Sequence, residues 1–146
     1  MRKVLVVCMG NICRSPVAER LLAAACEDRL EVGSAGLGAL VGHPADAMAA
    51  EVAAAHGVTI ASHVARQFTP HLGREQDLIL VMEPSFREAV GTQAPELLGR
   101  VMLYDQWTGA SSIPDPIGRS RAFHEQVFHR IADATRAWEA RLSMKW

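Results

Sequence analysis

No apolar run in this chain approaches the ~20 residues a helix needs to cross a bilayer, so membrane insertion is not expected. Neither sign of charge is in excess. Fifteen Lys and Arg stand against sixteen Asp and Glu, a net charge of −1, and no bulk field favours nucleic acid or a membrane surface. Cysteines are few: Cys8, Cys13 and Cys26. An odd count without a secretion signal excludes a disulfide framework and points to free thiols in a reducing cytoplasm. The start, Met1-Arg2-Lys3, is basic, but the apolar run behind it is only about five residues, too short for a signal peptide. No set of His, Cys and carboxylates has zinc spacing, so no metal or other cofactor is expected. Repeats, low-complexity tracts and linkers are absent too. What remains is 146 residues, 49% hydrophobic and 21% charged, the make-up of one globular domain over 1–146, expected as a monomer.

Apolar runs alternate with helical patterns. Strands are expected at Lys3–Val7, Leu30–Ser34, Asp77–Met82 and Arg100–Leu103. Helical spacing marks Pro16–Asp28, Ala45–His56 closed by Gly57, short pieces at Pro84–Val90 and Ala94–Leu98, and a long helix over Arg119–Lys145. Phe123, Val127, Ile131, Ala134, Trp138 and Leu142 recur every three or four residues and form the inner face of that last helix. Such alternation predicts an α/β fold: a parallel sheet covered by helices on both faces, with ligands bound beyond the carboxyl ends of its strands.

Cys8 stands at one such end. The stretch Val4-Leu5-Val6-Val7-Cys8-Met9-Gly10-Asn11-Ile12-Cys13-Arg14-Ser15-Pro16 is a buried strand, a short loop and a helix start, since proline suits the first helical turn. A loop of this kind turns backbone N–H groups inward and favours anions. Cys-x5-Arg alone is weak evidence; its place between strand and helix, with Gly10 and Asn11 where the backbone must turn tightly, gives it weight. Residues 9 to 14 then cradle a phosphate. The helix N-terminus, the converging N–H groups and the Arg14 guanidinium all favour a thiolate at Cys8, the nucleophilic form. Arg14 offers a planar fork to two phosphoryl oxygens. Ser15 either donates to the Cys8 sulfur or caps the helix. Asn11 suits a left-handed backbone position, and its side chain can bridge to another segment and stiffen the loop.

Phosphoryl transfer to Cys8 expels an oxygen that needs a proton. Asp115, in Ile113-Pro114-Asp115-Pro116, is the candidate acid on a loop stiffened by two prolines. An ordinary turn aspartate is an equal reading of the same residues. Cys13, inside the loop, is either a small loop residue or a partner that forms a disulfide with Cys8 under peroxide and guards it from over-oxidation.

These residues resemble the low-molecular-weight protein tyrosine phosphatases over essentially the whole chain. The matching features are Val7–Pro16, Ser34-Ala35-Gly36, Ser62-His63-Val64-Ala65-Arg66-Gln67 and Asp115-Pro116. The bacterial branch linked to exopolysaccharide or capsule production is closest, through Val32–Gly42 and Ile113–Pro116. The resemblance implies a four-stranded parallel sheet, Cys8 as nucleophile, Arg14 as transition-state clamp and Asp115 as acid then base. It also implies that Ser15 supports the thiolate and that His63 joins a network holding Asn11; from the residues alone His63 reads as a surface or capping histidine. The implied substrate is a phosphotyrosine protein, the tyrosine-rich tail of a membrane tyrosine autokinase that drives polysaccharide export.

Two departures bear on the mouth of the loop. Many relatives place tyrosine after the Asp-Pro, where Ile117-Gly118 stands here, and many eukaryotic relatives have an aromatic rim residue where this chain has Leu40. Arsenate reduction on the same loop needs further cysteines to relay a disulfide, and only Cys26 is left. A phosphotyrosine-binding module without activity would be expected to lack Cys8 or Asp115. A phosphatase of small aryl or acyl phosphates stays open, because the cradle reads phosphate and only the rim reads the rest.

Overall fold

Strand β1, Arg2–Cys8, is buried from Val4 onward, with Val4, Leu5, Val6 and Val7 at 0% exposure. Apolar side chains on both faces suit a strand with neighbours above and below. The computed structural model describes residues 2–27 and 29–145, with side chains to 142. Met1, Asp28 and Trp146, which the expected domain and first helix include, lie outside the described residues.

The remaining elements are α1 (Arg14–Ala25), β2 (Leu30–Gly36), α2 (Ala47–Ala55), α3 (Pro70–Arg74), β3 (Leu78–Val81), α4 (Pro84–Gln93), a 3-10 segment (Pro95–Arg100), β4 (Val101–Leu103) and α5 (Arg121–Lys145). All four strands are parallel in the order β2-β1-β3-β4. The first connection therefore runs to one side of β1 and the later ones to the other. Right-handed crossovers then place α1 and α4 on opposite faces. Helices α1 and α2 pack against α5, and α4 packs with the 3-10 segment over β3 and β4. The direction changes at the carboxyl end of β1, which opens a crevice there, and Cys8 ends that strand.

Where boundaries differ from expectation the causes are local. Helix α1 begins at Arg14, two residues before Pro16, with Cys13 at the N-cap position and no side-chain cap. Ser15 is thus in the first turn and is not the cap. Helix α3 was not expected. Thr69 caps it by accepting the Leu72 N–H, and Pro70 opens it. The inner face of α5 is wider than a single stripe, since Phe128, His124 and Thr135 are buried along with Val127, Ile131, Ala134, Trp138 and Leu142. Thr135 donates to Ile131 O and accepts from the buried Tyr104 hydroxyl, while Trp138 Nε1 donates to Tyr104 O. These bonds fasten the end of β4 to α5.

Candidate active site

Between β1 and α1 the chain makes one tight loop, residues 9–13. Five successive carbonyls point away from its concave side, each with a donor. Cys8 O receives Leu37 N–H, Met9 O receives Gly38 N–H, Gly10 O receives Leu40 N–H and Ile12 O receives Asp46 N–H, at 2.8–3.1 Å. Asn11 O lies 2.6 Å from His63 Nε2, and because a carbonyl only accepts, that nitrogen carries the proton. With the carbonyls turned outward, the N–H edges of the loop face the cleft, the arrangement of an anion nest.

Asn11 takes φ +59°, the left-handed region that asparagine tolerates, and its amide ties three segments together. Nδ2 donates to Ser15 Oγ at 2.8 Å and to Ser34 Oγ at 3.0 Å, and Oδ1 accepts the Arg66 N–H at 2.9 Å. Since Ser15 Oγ accepts from Asn11, its own proton is left to point at Cys8 Sγ, 2.9 Å away. Ser34 Oγ in turn donates to Glu19 Oε1, and Arg66 Nε donates to Ser34 O. Gly36 completes the fit. A Cβ there would stand 2.4 Å from Met9 O, so only glycine lets β2 pass this close behind the loop.

Arg14 is almost wholly buried, at 2% exposure. Its Nη1 donates to Glu83 Oε2 at 2.6 Å and to Ile113 O at 2.8 Å, which fixes the plane of the guanidinium. Its Nε is buried and has no hydrogen-bond partner among the described residues. The Asp115 carboxylate Oδ2 stands 3.8 Å from Nη2. Oδ1 of the same group accepts the Ile117 N–H at 3.0 Å. One oxygen thus makes the turn, and the other faces the Arg14 guanidinium.

Cys8, Met9, Gly10, Ile12, Cys13, Arg14, Gly38, Leu40, Asp115 and Ile117 line a cleft of about 290 Å³. Met9, Leu40 and Ile117, all roughly half exposed, form an apolar rim over a polar floor. The Cys13 thiol is pushed far above its ordinary range, first by burial and then by Asp46, Asp115 and Cys8, so it stays protonated beside Cys8. All three cysteines are free.

Glu83, Arg66, Ser34 and Asp46 act on the loop without having been singled out as site residues. Glu83 had a usable signal: a carboxylate two residues beyond the end of a buried parallel strand belongs at the binding edge of the sheet. Asp46 caps α2 by accepting the Ala49 N–H, and its own N–H holds Ile12. No local pattern marks that double use.

The family model for low molecular weight phosphotyrosine protein phosphatases matches residues 3–145. A low molecular weight protein-tyrosine-phosphatase of Salmonella typhimurium, Wzb, is 48% identical over 97% of this chain and 94% of its own. The Escherichia coli K12 protein Etp, of the same description, is 46% identical over 96% and 94%. The structure of Vibrio vulnificus Wzb in complex with benzylphosphonate superposes with a TM-score of 0.93 at 43% identity, covering 96% of this chain and 98% of that one. Matches of this length and identity, on a fold whose Cys-x5-Arg loop sits at the sheet's switch point, establish that the chain belongs to the low molecular weight phosphotyrosine protein phosphatases.

Proposed function

We propose that the protein hydrolyses phosphotyrosine in proteins through a cysteinyl-phosphate intermediate formed on Cys8. The observation that carries this reading is the Arg14 guanidinium, which lines the cleft and is pinned on one edge by Glu83 and Ile113 while its buried Nε has no hydrogen-bond partner among the described residues. A buried donor without a partner is costly, and a phosphoryl oxygen supplies one. The loop N–H groups and Arg14 bind the equatorial oxygens. The Cys8 sulfur attacks phosphorus in line, the bond to the phenolic oxygen breaks, and Asp115 gives that oxygen its proton. Asp115 then takes a proton from water as the water attacks phosphorus, the P–S bond breaks, and phosphate leaves. The charge held by the cradle supplies most of the rate enhancement. The apolar rim of Met9, Leu40 and Ile117 suits an aryl ring, and a relative of known structure binds benzylphosphonate, a phenyl ring one methylene away from phosphorus.

Asp115→Asn tests the acid. Turnover is expected to fall about 10²–10³-fold for phenyl phosphates with poor leaving groups and far less for nitrophenyl phosphates, whose leaving oxygen needs no proton. Equal losses across a leaving-group series measured by steady-state kinetics would remove Asp115 from the proton transfer.

We infer further that the natural substrate is the tyrosine-rich tail of a membrane tyrosine autokinase controlling exopolysaccharide export, an inference resting on family resemblance. A phosphorylated tyrosine-rich peptide should then have a kcat/KM at least about tenfold above that of free phosphotyrosine, through a lower KM, since its flanking residues add contacts beyond those of the ring. Equal values would favour a phosphatase of small aryl phosphates.

A further inference from the structure

Far from the cleft in sequence, where α2 ends against α5, three donor groups converge that the phosphatase chemistry does not use. His56 closes α2, and Glu125 and His129 lie one turn apart on α5. His56 Nε2 stands 2.8 Å from Glu125 Oε2, and His129 Nε2 is 3.9 Å from the same oxygen. One ligand atom from each residue falls within 4.8 Å of the others. A tetrahedral zinc ion with Zn–N near 2.0–2.1 Å separates its ligand atoms by roughly 3.4 Å, so ångström-scale side-chain shifts would close the set. The His56 ring is already oriented. It lies flat on the buried Phe128 ring, with centroids 4.4 Å apart at 15°, and edge-on to His129 at 5.2 Å. The hydrogen bond from His56 also holds the Glu125 carboxyl below the usual carboxylate range. With side chains 32%, 31% and 64% exposed, the three groups are open to solvent, and water can complete the coordination.

We propose that His56, Glu125 and His129 bind a divalent transition-metal ion and that the ion pins α2 to α5. Two imidazoles and one carboxylate suit zinc and its neighbours far better than magnesium or calcium, which prefer all-oxygen sets. Arg121, which also acts on the Glu125 carboxylate, opposes a cation and moderates the affinity. Because Asp46 at the head of α2 holds Ile12 of the cradle, an ion at the tail of that helix braces one wall of the cradle. The sequence concealed this set because its third member lies 69 residues upstream of Glu125.

Cobalt(II) is the probe, since its absorption separates imidazole and carboxylate ligands from thiolates such as Cys8. Titrated into the full chain, it should give visible d–d bands without thiolate charge transfer, saturating at one ion per chain. At about a hundredfold excess over Kd, Tm should rise by about 5–10 °C. His56→Gln, His129→Ala and Glu125→Gln should each weaken binding about tenfold or more, and the His56→Gln/His129→Ala pair should abolish it. All of these variants should keep parental aryl phosphate turnover without metal, which shows that they fold. Glu125→Gln gives an independent reading if the double variant does not fold. A thiolate band, undiminished affinity in Glu125→Gln or in the folded double variant, or no binding by the parent at millimolar cobalt would overturn the site.

Discussion

Cys8→Ser should abolish turnover of an aryl phosphate, by about 10⁵-fold or more, and leave inorganic phosphate bound nearly as well as before. The two effects separate because the structure separates their causes. Binding comes from the loop N–H groups and Arg14, and these depend on outward bonds from Leu37, Gly38, Leu40, His63 and Asp46 that a serine at position 8 does not touch. Attack depends on the sulfur alone. A hydroxyl is a far weaker nucleophile at neutral pH unless a base removes its proton, and Asp115, the one base the mechanism uses, is protonated in this step. The His63 Nε2 proton is committed to Asn11 O, and Ser15 Oγ already accepts from Asn11. Calorimetric titration with phosphate, alongside steady-state assays of nitrophenyl phosphate, measures both quantities. Residual turnover within a hundredfold of the parent would sink the nucleophile assignment.

The second large effect is expected at Arg14. Arg14→Lys keeps the charge and removes the fork, and kcat should fall by about 10³-fold with a much smaller change in KM, because the contacts to the equatorial oxygens strengthen as phosphorus becomes planar. Lysine is a point donor. It cannot reach Glu83, Ile113 O and two phosphoryl oxygens from one rigid plane. Arg14 also lies over the Phe86 ring, 5.5 Å from its centroid, a contact that favours the guanidinium over an ammonium. Kinetics must be paired with a melting curve, since the substitution deprives the Glu83 carboxylate and a buried carbonyl of their donor. A variant that melts like the parent and loses less than tenfold in kcat would show that charge alone suffices.

Much of this was legible because it is local. The apolar run of β1, Cys8-x5-Arg14 and Pro16 lie within thirteen residues, and each reports on its own backbone. The four strands were legible for the same reason, although all four differ by one or two residues at one end or both. Helix α3 was not. It is only five residues long and includes Gly73, where a Cβ would stand 2.5 Å from Leu97 Cδ1, so the glycine serves packing against a segment more than twenty residues away. The width of the buried face of α5 was hidden because it depends on two neighbours, α1 and α2, packing on adjacent sides. Glu83 and the donors around Asn11 escaped notice because their roles exist only after the crossovers return. Glu83 meets Arg14 across 69 residues and Arg66 meets Asn11 across 55. Asp115 was ambiguous for a physical reason, since one of its oxygens accepts the Ile117 N–H of a turn while the other faces Arg14.

The cradle is held by residues from four separate later segments of the chain: Ser34 in β2, His63 and Arg66 beyond α2, Glu83 after β3 and Ile113 after β4. The geometry of the cradle is therefore a coincidence detector for the return of these four segments. A partly opened molecule would keep the Cys8 thiol and lose the bonds that shape the loop around it. By the same linkage, an oxyanion bound in the cradle would hold together the segments that built it and would act on this protein as a folding ligand.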